Sequence, residues 1–284
     1  MNELQQKERD LLKIFIDFCD KNKLTYFLVG GTLLGAIRHK GFIPWDDDID
    51  VAMPREDYDK FIVLASKHFT KDKDVFFQNY RTDKHYPYVF SKLRDSNTTF
   101  IEKIYKYVDM NHGVYIDIFP IDGISKNSNE KKKKMDRIVM QKAFVFFLSW
   151  PINLMRKPRL KFFLTDILID IVLLPFCLLN INNWSKKLYE KSMKKISVKE
   201  SKYVANMQCG DYRIKNNIYP TYLLDEYIDW PFEDLVAKVP KNYDEFLKLS
   251  YGDYMKLPPK EKQIGHHYNS GYDMHKSYRE YLKK

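Results

Sequence analysis

The segment Asp-Asp-Asp-Ile-Asp at 46–50 concentrates four carboxylates in five residues and carries the strongest chemical signal in the chain. Side chains of a β-strand alternate between its two faces, so Asp48 and Asp50 are predicted to share one face, with Cα atoms roughly 6.5–7 Å apart. Both carboxylates could then bind one or two hard cations. Without a cation they would repel one another, and at least one would stay protonated. The segment therefore predicts a Mg²⁺ or Mn²⁺ site with coordination positions left for phosphate oxygens.

Two other interpretations apply to this cluster. One is a solvated acidic loop that binds nothing. The other is an EF-hand, because Asp46, Asp48 and Asp50 match the first three alternate positions of a calcium loop. The sixth position of such a loop is glycine and the twelfth is glutamate. Here those positions hold Val51 and Asp57, so the calcium loop is rejected.

A glycine pair precedes the acidic segment. Gly30 and Gly31 follow the apolar run 26–29 and come before Thr32, the first residue of a predicted helix over 32–38. Free N–H groups at a helix N-terminus attract phosphate, and glycine allows close approach of the backbone. The spacing matches neither a Walker A loop nor a dinucleotide fingerprint. Basic residues that could reach phosphate, or simply complement the helix dipole, stand at the other end of the helix: Arg38, His39 and Lys40.

The two segments together resemble one family. The LicD family, whose members are phosphotransferases on a nucleotidyltransferase-type fold, is resembled by two segments of this chain. They are Gly-Gly-Thr-Leu-Leu-Gly-Ala-Ile-Arg-His at 30–39 and Gly-Phe-Ile-Pro-Trp-Asp-Asp-Asp-Ile-Asp-Val at 41–51. Segment 113–123 is similar to the second acidic strand of that family. The resemblance is weakest over 125–200, and it continues in the C-terminal segments 230–234, 239–244 and 251–255.

The resemblance implies a set of site residues. Asp48 and Asp50 would be paired metal ligands, and Asp117 would bind metal, accept the proton of the acceptor hydroxyl, or both. Mg²⁺ (or Mn²⁺) would be the cofactor. Asp122, just after the second acidic strand, is expected to be a turn residue. Residues expected to bind substrate or phosphate are Gly30, Gly31, Thr32, Arg38, His39, Lys40, Trp45 and Asp47.

The resemblance also implies an activity. The leading hypothesis is transfer of phosphocholine from CDP-choline to a sugar hydroxyl of a bacterial surface glycan, with release of CMP. The acceptor would be a lipid-linked or polymeric glycan, such as a teichoic acid, capsule or lipooligosaccharide precursor. Alternatives are the same transfer from CDP-ribitol, CDP-glycerol or another CDP-alcohol, a nucleotidyltransferase, and a non-catalytic membrane-binding module.

The composition of the chain indicates the kind of partner it binds and the compartment in which it works. The chain has 284 residues and a formal net charge of +10, which favours anionic partners, although no nucleic-acid motif is recognisable. Its three cysteines, Cys19, Cys177 and Cys209, are too dispersed for a disulfide framework or a metal motif. Residues 1–23 show helical periodicity instead of a signal peptide, so a cytoplasmic protein is expected.

The middle of the chain raises the question of a membrane. Two strongly apolar runs, 143–154 and 162–179, flank the basic patch 156–161. The first run is too short to span a bilayer, and Asp166, Asp170 and Pro175 interrupt the second. One interpretation is peripheral contact with the inner membrane surface, and the other is a helical subdomain that packs on the core.

Periodicity predicts an α/β (α+β) protein with a small mixed sheet flanked by helices and a mostly helical insertion. The proposed division is a catalytic core over 1–125, an apolar and basic helical insertion over 126–200, and a C-terminal region over 201–284 that packs on the core. His266 and His267 are expected to be exposed unless the tail folds over the cleft. Helices are predicted over 3–23, 32–38, 55–68 and 241–250, strands over 25–29, 48–52, 74–80, 86–94 and 113–119, and a mostly helical stretch over 129–198.

Overall fold

A computed structural model of the chain describes residues 1–106, 108–124, 181–206, 218–265 and 269–282, together with positions 140, 141, 144, 145 and 171. The predictions for the apolar and basic stretch therefore fall almost wholly outside the described residues, as do those for Cys177, Cys209, His266 and His267. The α-helices are α1 (Glu3–Lys21), α2 (Gly30–His39), α3 (Arg55–His68), α4 (Ile181–Met193), α5 (Tyr243–Tyr251) and α6 (Tyr278–Leu282).

The strands alternate with helices as far as α3, and Tyr227–Phe232 and Leu235–Pro240 form an antiparallel hairpin in the later part of the chain. In chain order they are β1 (Phe27–Leu28), β2 (Asp50–Pro54), β3 (Val75–Gln78), β4 (Ser91–Asp95), β5 (Thr99–Glu102), β6 (Val114–Ile124), β7 (Tyr203–Ala205), β8 (Ile218–Pro220), β9 (Tyr227–Phe232), β10 (Leu235–Pro240) and β11 (Asn269–Asp273).

A mixed sheet forms the centre of the fold. Its strands lie in the order β1-β2-β6-β4-β3, and the far end of β6 pairs with β7, which in turn pairs with β8. Only β2 and β6 run parallel among these described strands. The predicted class, a mixed sheet flanked by helices, is thus confirmed. None of the helices within the described ranges combines the length and apolar character needed to cross a bilayer.

Helix α1 begins with a capping box. The Asn2 side chain accepts the Gln5 N–H at 2.9 Å, and the Gln5 side chain accepts the Asn2 N–H at 3.0 Å. These contacts satisfy two N–H groups that the helix leaves without internal partners. Phe15 of α1 packs edge-on against Phe61 of α3, and Phe61 packs against Phe77 of β3. The helix lies where periodicity predicts it, and its buried face joins the core of the sheet.

Several predicted boundaries were wrong. The strand predicted over 86–94 begins only at Ser91, and Gly30 and Gly31 belong to the first turn of α2 instead of a preceding turn. Strand β6 continues to Ile124, so Asp122 is a buried strand residue and not a turn residue. Its two carboxylate oxygens each accept a hydrogen bond from Arg55 at 2.6 Å.

The hairpin of β9 and β10 was not predicted, and it holds the loop that leads into the acidic segment. The backbone N–H of Glu233 donates to the Lys40 carbonyl at 2.8 Å, and the Glu233 carboxylate accepts the Phe42 N–H at 3.0 Å. The Trp230 indole donates to the Ala36 carbonyl at 3.0 Å. These contacts attach the end of α2 and the following loop to the C-terminal part of the chain.

Candidate active site

The parallel pairing of β2 and β6 brings two predicted site residues side by side. Asp50 is the register partner of Asp117, and the Asp117 N–H donates to the Ile49 carbonyl at 2.8 Å. Register partners on neighbouring strands point to the same face of the sheet, and the strands are about 4.8 Å apart. The burial of Ile49 and Val51 agrees with the predicted alternation along the segment.

The loop that enters β2 carries a second group of carboxylates. One oxygen from each of Asp46, Asp47 and Asp48 lies within 4.8 Å of the others. Among the described residues this is the set of acidic side chains close enough to hold one cation. Asp48 belongs both to this group and to the predicted ligand set of Asp48, Asp50 and Asp117. The group adds Asp46 and Asp47 to that set.

The aspartates of the two groups raise one another's pKa values, so they form one acidic site. Burial, together with the charges of Asp48 and Asp47, raises the pKa of Asp46 to about 7. Burial likewise raises the pKa of Asp50 well above its usual range, with added contributions from Asp48, Asp117 and Asp46. All the donors are carboxylate oxygens, the ligands that hard divalent cations prefer. The site therefore fits Mg²⁺ or Mn²⁺, which would relieve the repulsion that raises these pKa values.

The N-terminus of α2 lies directly against the carboxylates, and two glycines make this possible. Gly30 has a φ of +59°, and a Cβ atom there would stand 2.8 Å from Oδ2 of Asp50. A Cβ on Gly31 would stand 2.6 Å from Oδ2 of Asp46. The Thr32 hydroxyl oxygen accepts the Asp50 N–H at 2.8 Å, which positions the first residue of β2. The positive end of the α2 dipole therefore faces the acidic site.

The predicted basic residues lie at the opposite end of α2, about 12 Å along the helix axis from Gly30. Arg38 donates to the Tyr254 carbonyl at 2.8 Å. The His39 ring meets Trp45 edge-on with centroids 6.4 Å apart. Lys40 ends the helix in the left-handed region, with a φ of 60°, and is exposed. Arg38, His39 and Lys40 therefore lie at the C-terminal end of α2 and not beside Gly30 and Gly31.

Lys92 is a buried cation that the sequence did not indicate. It is the register partner of Asp117 on β4, only 2% exposed, and its Nζ lies 2.8 Å from Oδ1 of Asp117. The same Nζ lies 3.2 Å from the centre of the Tyr115 ring. Burial raises the pKa of Asp117, and Lys92 opposes that shift. No local pattern marks Lys92, because its importance depends on register with a distant strand.

Two further residues associated with the site were missed. Glu8 of α1 is buried and its pKa is raised well above the usual range, first by burial and then by the charge of Asp48 and the other site aspartates. The sequence did contain a signal for Glu8, because it is a charged residue at a position of α1 where the helical periodicity predicts an apolar one. From the C-terminal region, a Cβ on Gly265 would lie 2.5 Å from Oδ2 of Asp47, so this part of the chain reaches the acidic loop.

Comparisons with known proteins identify the family to which the chain is similar. The family described as "LicD/FKTN/FKRP, nucleotidyltransferase domain" matches residues 23–151, which include both acidic segments. The chain is 30% identical to the lipopolysaccharide cholinephosphotransferase LicD of Haemophilus influenzae over 300 aligned positions, which cover 96% of this chain and 99% of that protein. An uncharacterised protein of Rickettsia prowazekii is 47% identical over 47 residues, 16% of this chain and 18% of that protein. A Rickettsia typhi protein, also uncharacterised, shows the same identity over the same length.

Proposed function

The chain belongs to the LicD family and is a phosphotransferase, and from this premise we propose that it moves phosphocholine from CDP-choline to a sugar hydroxyl of a bacterial cell-surface glycan, with release of CMP. Support for phosphocholine as the transferred group comes from the Haemophilus influenzae relative, whose name states cholinephosphotransfer to lipopolysaccharide. Teichoic acid and capsule precursors are further proposed acceptors.

The observation that carries the proposal is an acidic site of five aspartates, two of which, Asp46 and Asp50, lie directly against the N-terminus of α2. Such a site joins a place for divalent cations to a helix end that favours phosphate. Either feature alone would be common. Their close approach at Gly30 and Gly31 is what suits a diphosphate bound to a cation. The aspartates concerned are Asp46, Asp47, Asp48, Asp50 and Asp117.

In the proposed mechanism, one acidic site would hold Mg²⁺. Asp48, Asp50 and Asp117 would be ligands, and Asp46 and Asp47, whose oxygens lie within 4.8 Å of an Asp48 oxygen, would be further ligands. When bound, Mg²⁺ neutralises charge on the diphosphate and makes CMP a better leaving group. The N–H groups at the start of α2 bind phosphate oxygens and orient the donor.

The chemical step is an in-line displacement. The acceptor hydroxyl oxygen forms a bond to the phosphorus of phosphocholine, the bond from that phosphorus to the CMP oxygen breaks, and CMP leaves with the bonding electrons. Asp117 accepts the proton of the hydroxyl, and Lys92, 2.8 Å away, orients its carboxylate. Positioning and electrostatic stabilisation account for most of the catalysis in phosphoryl transfer.

The test is CMP release by the purified chain with Mg²⁺, a glycan acceptor and one CDP-alcohol at a time. We expect CDP-choline to support release, and we expect Asp48→Asn and Asp50→Asn to abolish it while the protein stays folded by circular dichroism. Asp17→Asn is the matched control, because Asp17 lies on the surface in an ion pair with Lys13.

Other outcomes would redirect the proposal. Release only with CDP-ribitol or CDP-glycerol would change the donor and keep the chemistry. Pyrophosphate as the released product would indicate a nucleotidyltransferase. Near-normal turnover by either Asn variant would eliminate the mechanism, and metal-independent binding without turnover would favour a non-catalytic membrane module.

We further propose that the enzyme works in the cytoplasm, in peripheral contact with the inner membrane surface. The net charge of +10 favours attraction to anionic lipid headgroups. Cell fractionation with and without a high-salt wash tests this, since a peripheral electrostatic contact would be released by salt.

A further inference from the structure

Glu8 interrupts the buried face of α1 with a charged side chain. It lies four residues after Leu4 and three before Leu11, in a row that otherwise packs toward the core, and it is only 2% exposed. Carboxylates are rarely buried this completely unless they are paired. Packing alone would favour an apolar residue here, so the position calls for another explanation.

The neighbouring residue Gln5 shows which part of the molecule this face contacts. The Gln5 side-chain amide donates to the backbone carbonyl of Asp46 at 3.0 Å, which holds α1 against the acidic loop. Gln5 and Glu8 are three residues apart and therefore lie on the same side of the helix. The negative charge that acts most strongly on Glu8 is that of Asp48, followed by Asp47 and Asp46.

The Glu8 carboxylate lacks a complete set of partners. Within the described part of the chain, its Oε2 atom is buried without a hydrogen-bond partner. An unsatisfied buried polar group costs about 1–3 kcal/mol, and more when it is charged. On the side of α1 that Gln5 holds against the acidic loop, oxygens of Asp46, Asp47 and Asp48 lie within 4.8 Å of one another. A divalent cation among them would attract Glu8 and compensate its burial.

We propose that Glu8 contributes a fourth carboxylate to the divalent-cation site of Asp46, Asp47 and Asp48 through one coordinated water. The inference rests on the proposed function, because that function supplies the cation. It adds a carboxylate from α1, an element outside both acidic segments. Carboxylates that bind or orient around a metal typically change its affinity by about 10–100-fold when they are replaced.

The experiment measures Mn²⁺ binding by the purified full chain, with electron paramagnetic resonance counting free Mn²⁺, alongside thermal unfolding with and without MnCl₂. Glu8→Gln keeps the shape of the side chain and removes its charge. Glu3→Gln is the control on the same helix, because Glu3 is 77% exposed. We expect Glu8→Gln to weaken Mn²⁺ binding at least tenfold and to reduce the stabilisation by MnCl₂. Without metal, this variant should unfold at or above the wild-type temperature, and Glu3→Gln should match the wild type throughout.

The outcomes separate this inference from the proposed function. Wild-type affinity in Glu8→Gln would overturn the role of Glu8 and leave the cation site intact, whereas absence of Mn²⁺ binding by the wild type would overturn both. A lower unfolding temperature in EDTA with an unchanged response to MnCl₂ would show a purely structural role. If Glu8→Gln does not fold, Glu8→Asp keeps the charge and shortens its reach, and its Mn²⁺ affinity must then fall for the inference to hold.

Discussion

The substitution Lys92→Met isolates the buried ion pair at the centre of the site. Lys92 is 2% exposed, and its Nζ lies 2.8 Å from Oδ1 of Asp117. Methionine keeps most of the apolar length of lysine and removes its charge. In the metal-free protein, Asp117 would then stay buried without its counter-charge. We therefore expect the free energy of unfolding to fall, and the loss to depend on pH.

The size of the loss follows from the proton that Asp117 would take up. A carboxyl group with an ordinary pKa of 3.8 stays charged in the unfolded chain at pH 7, and keeping it protonated in the folded state costs roughly 4 kcal/mol, at ~1.4 kcal/mol per pH unit. This figure is a ceiling, because removal of Lys92 also removes the cost of burying an ammonium group. An expected loss of about 2–4 kcal/mol at pH 7 agrees with the range for broken buried ion pairs.

The sign of the pH dependence is defined by the same argument. The pKa of Asp117 in the folded variant is raised, so its folded state binds more protons than its unfolded state between the two pKa values. The stability of the variant must then increase as pH falls from 7 toward 4, and its deficit relative to the wild type must shrink.

The assay is urea unfolding in EDTA at pH 5, 6 and 7, analysed by linear extrapolation. The control is Lys248→Met, which removes a surface ion pair with Asp244 whose side chains are 63% and 54% exposed, and which should change stability by less than ~1 kcal/mol. Added MnCl₂ should stabilise the Lys92→Met variant more than the wild type, because the cation replaces the missing positive charge. A variant as stable as the wild type at pH 7, or a deficit that does not change with pH, would refute the reasoning.

Three other perturbations test separate parts of the structure. Asp122→Asn removes the carboxylate that lies 2.6 Å from the buried Arg55 guanidinium and leaves only longer ion pairs with Asp59 and Glu190, so it should cost about 2–3 kcal/mol in urea unfolding. A loss below ~1 kcal/mol would contradict the buried pair. Gly30→Ala places a Cβ 2.8 Å from Oδ2 of Asp50 and should weaken Mn²⁺ binding. Its control is Gly252→Ala, which is also at positive φ but has open space around its Cβ, so it should lower stability without changing Mn²⁺ binding. Equal effects of the two variants on Mn²⁺ binding would rule out the contact at Gly30. Burial, together with the charges of Asp48 and Asp47, raises the pKa of Asp46 to about 7, so metal-free protein should lose stability as pH rises from 4 to 7, and Asp46→Asn should flatten that slope in thermal unfolding; an unchanged slope would exclude Asp46 as its source.

The features that the sequence determined are local. Alternation along 46–51 predicted that Ile49 and Val51 are buried while the aspartates face elsewhere, and the structure confirms the burial. Helical periodicity located α1 and α3 to within two residues, because side-chain spacing along a helix is fixed by its geometry. The glycine pair pointed to close approach of the backbone, and its contacts with Asp50 and Asp46 show such an approach.

The tertiary structure decided which distant residues meet. Asp117 faces Asp50 and Lys92 only because β6 pairs with β2 and β4 in one register, and a shift of one residue would turn its side chain to the other face. Gln5 contacts the acidic loop because α1 packs there, a contact that no periodicity within α1 specifies. Local preferences act over a few residues, whereas register and packing depend on the combined burial of many side chains far apart in the chain. The acidic residues could therefore be identified from their order in the sequence, and the charges that surround them could be identified only from the fold.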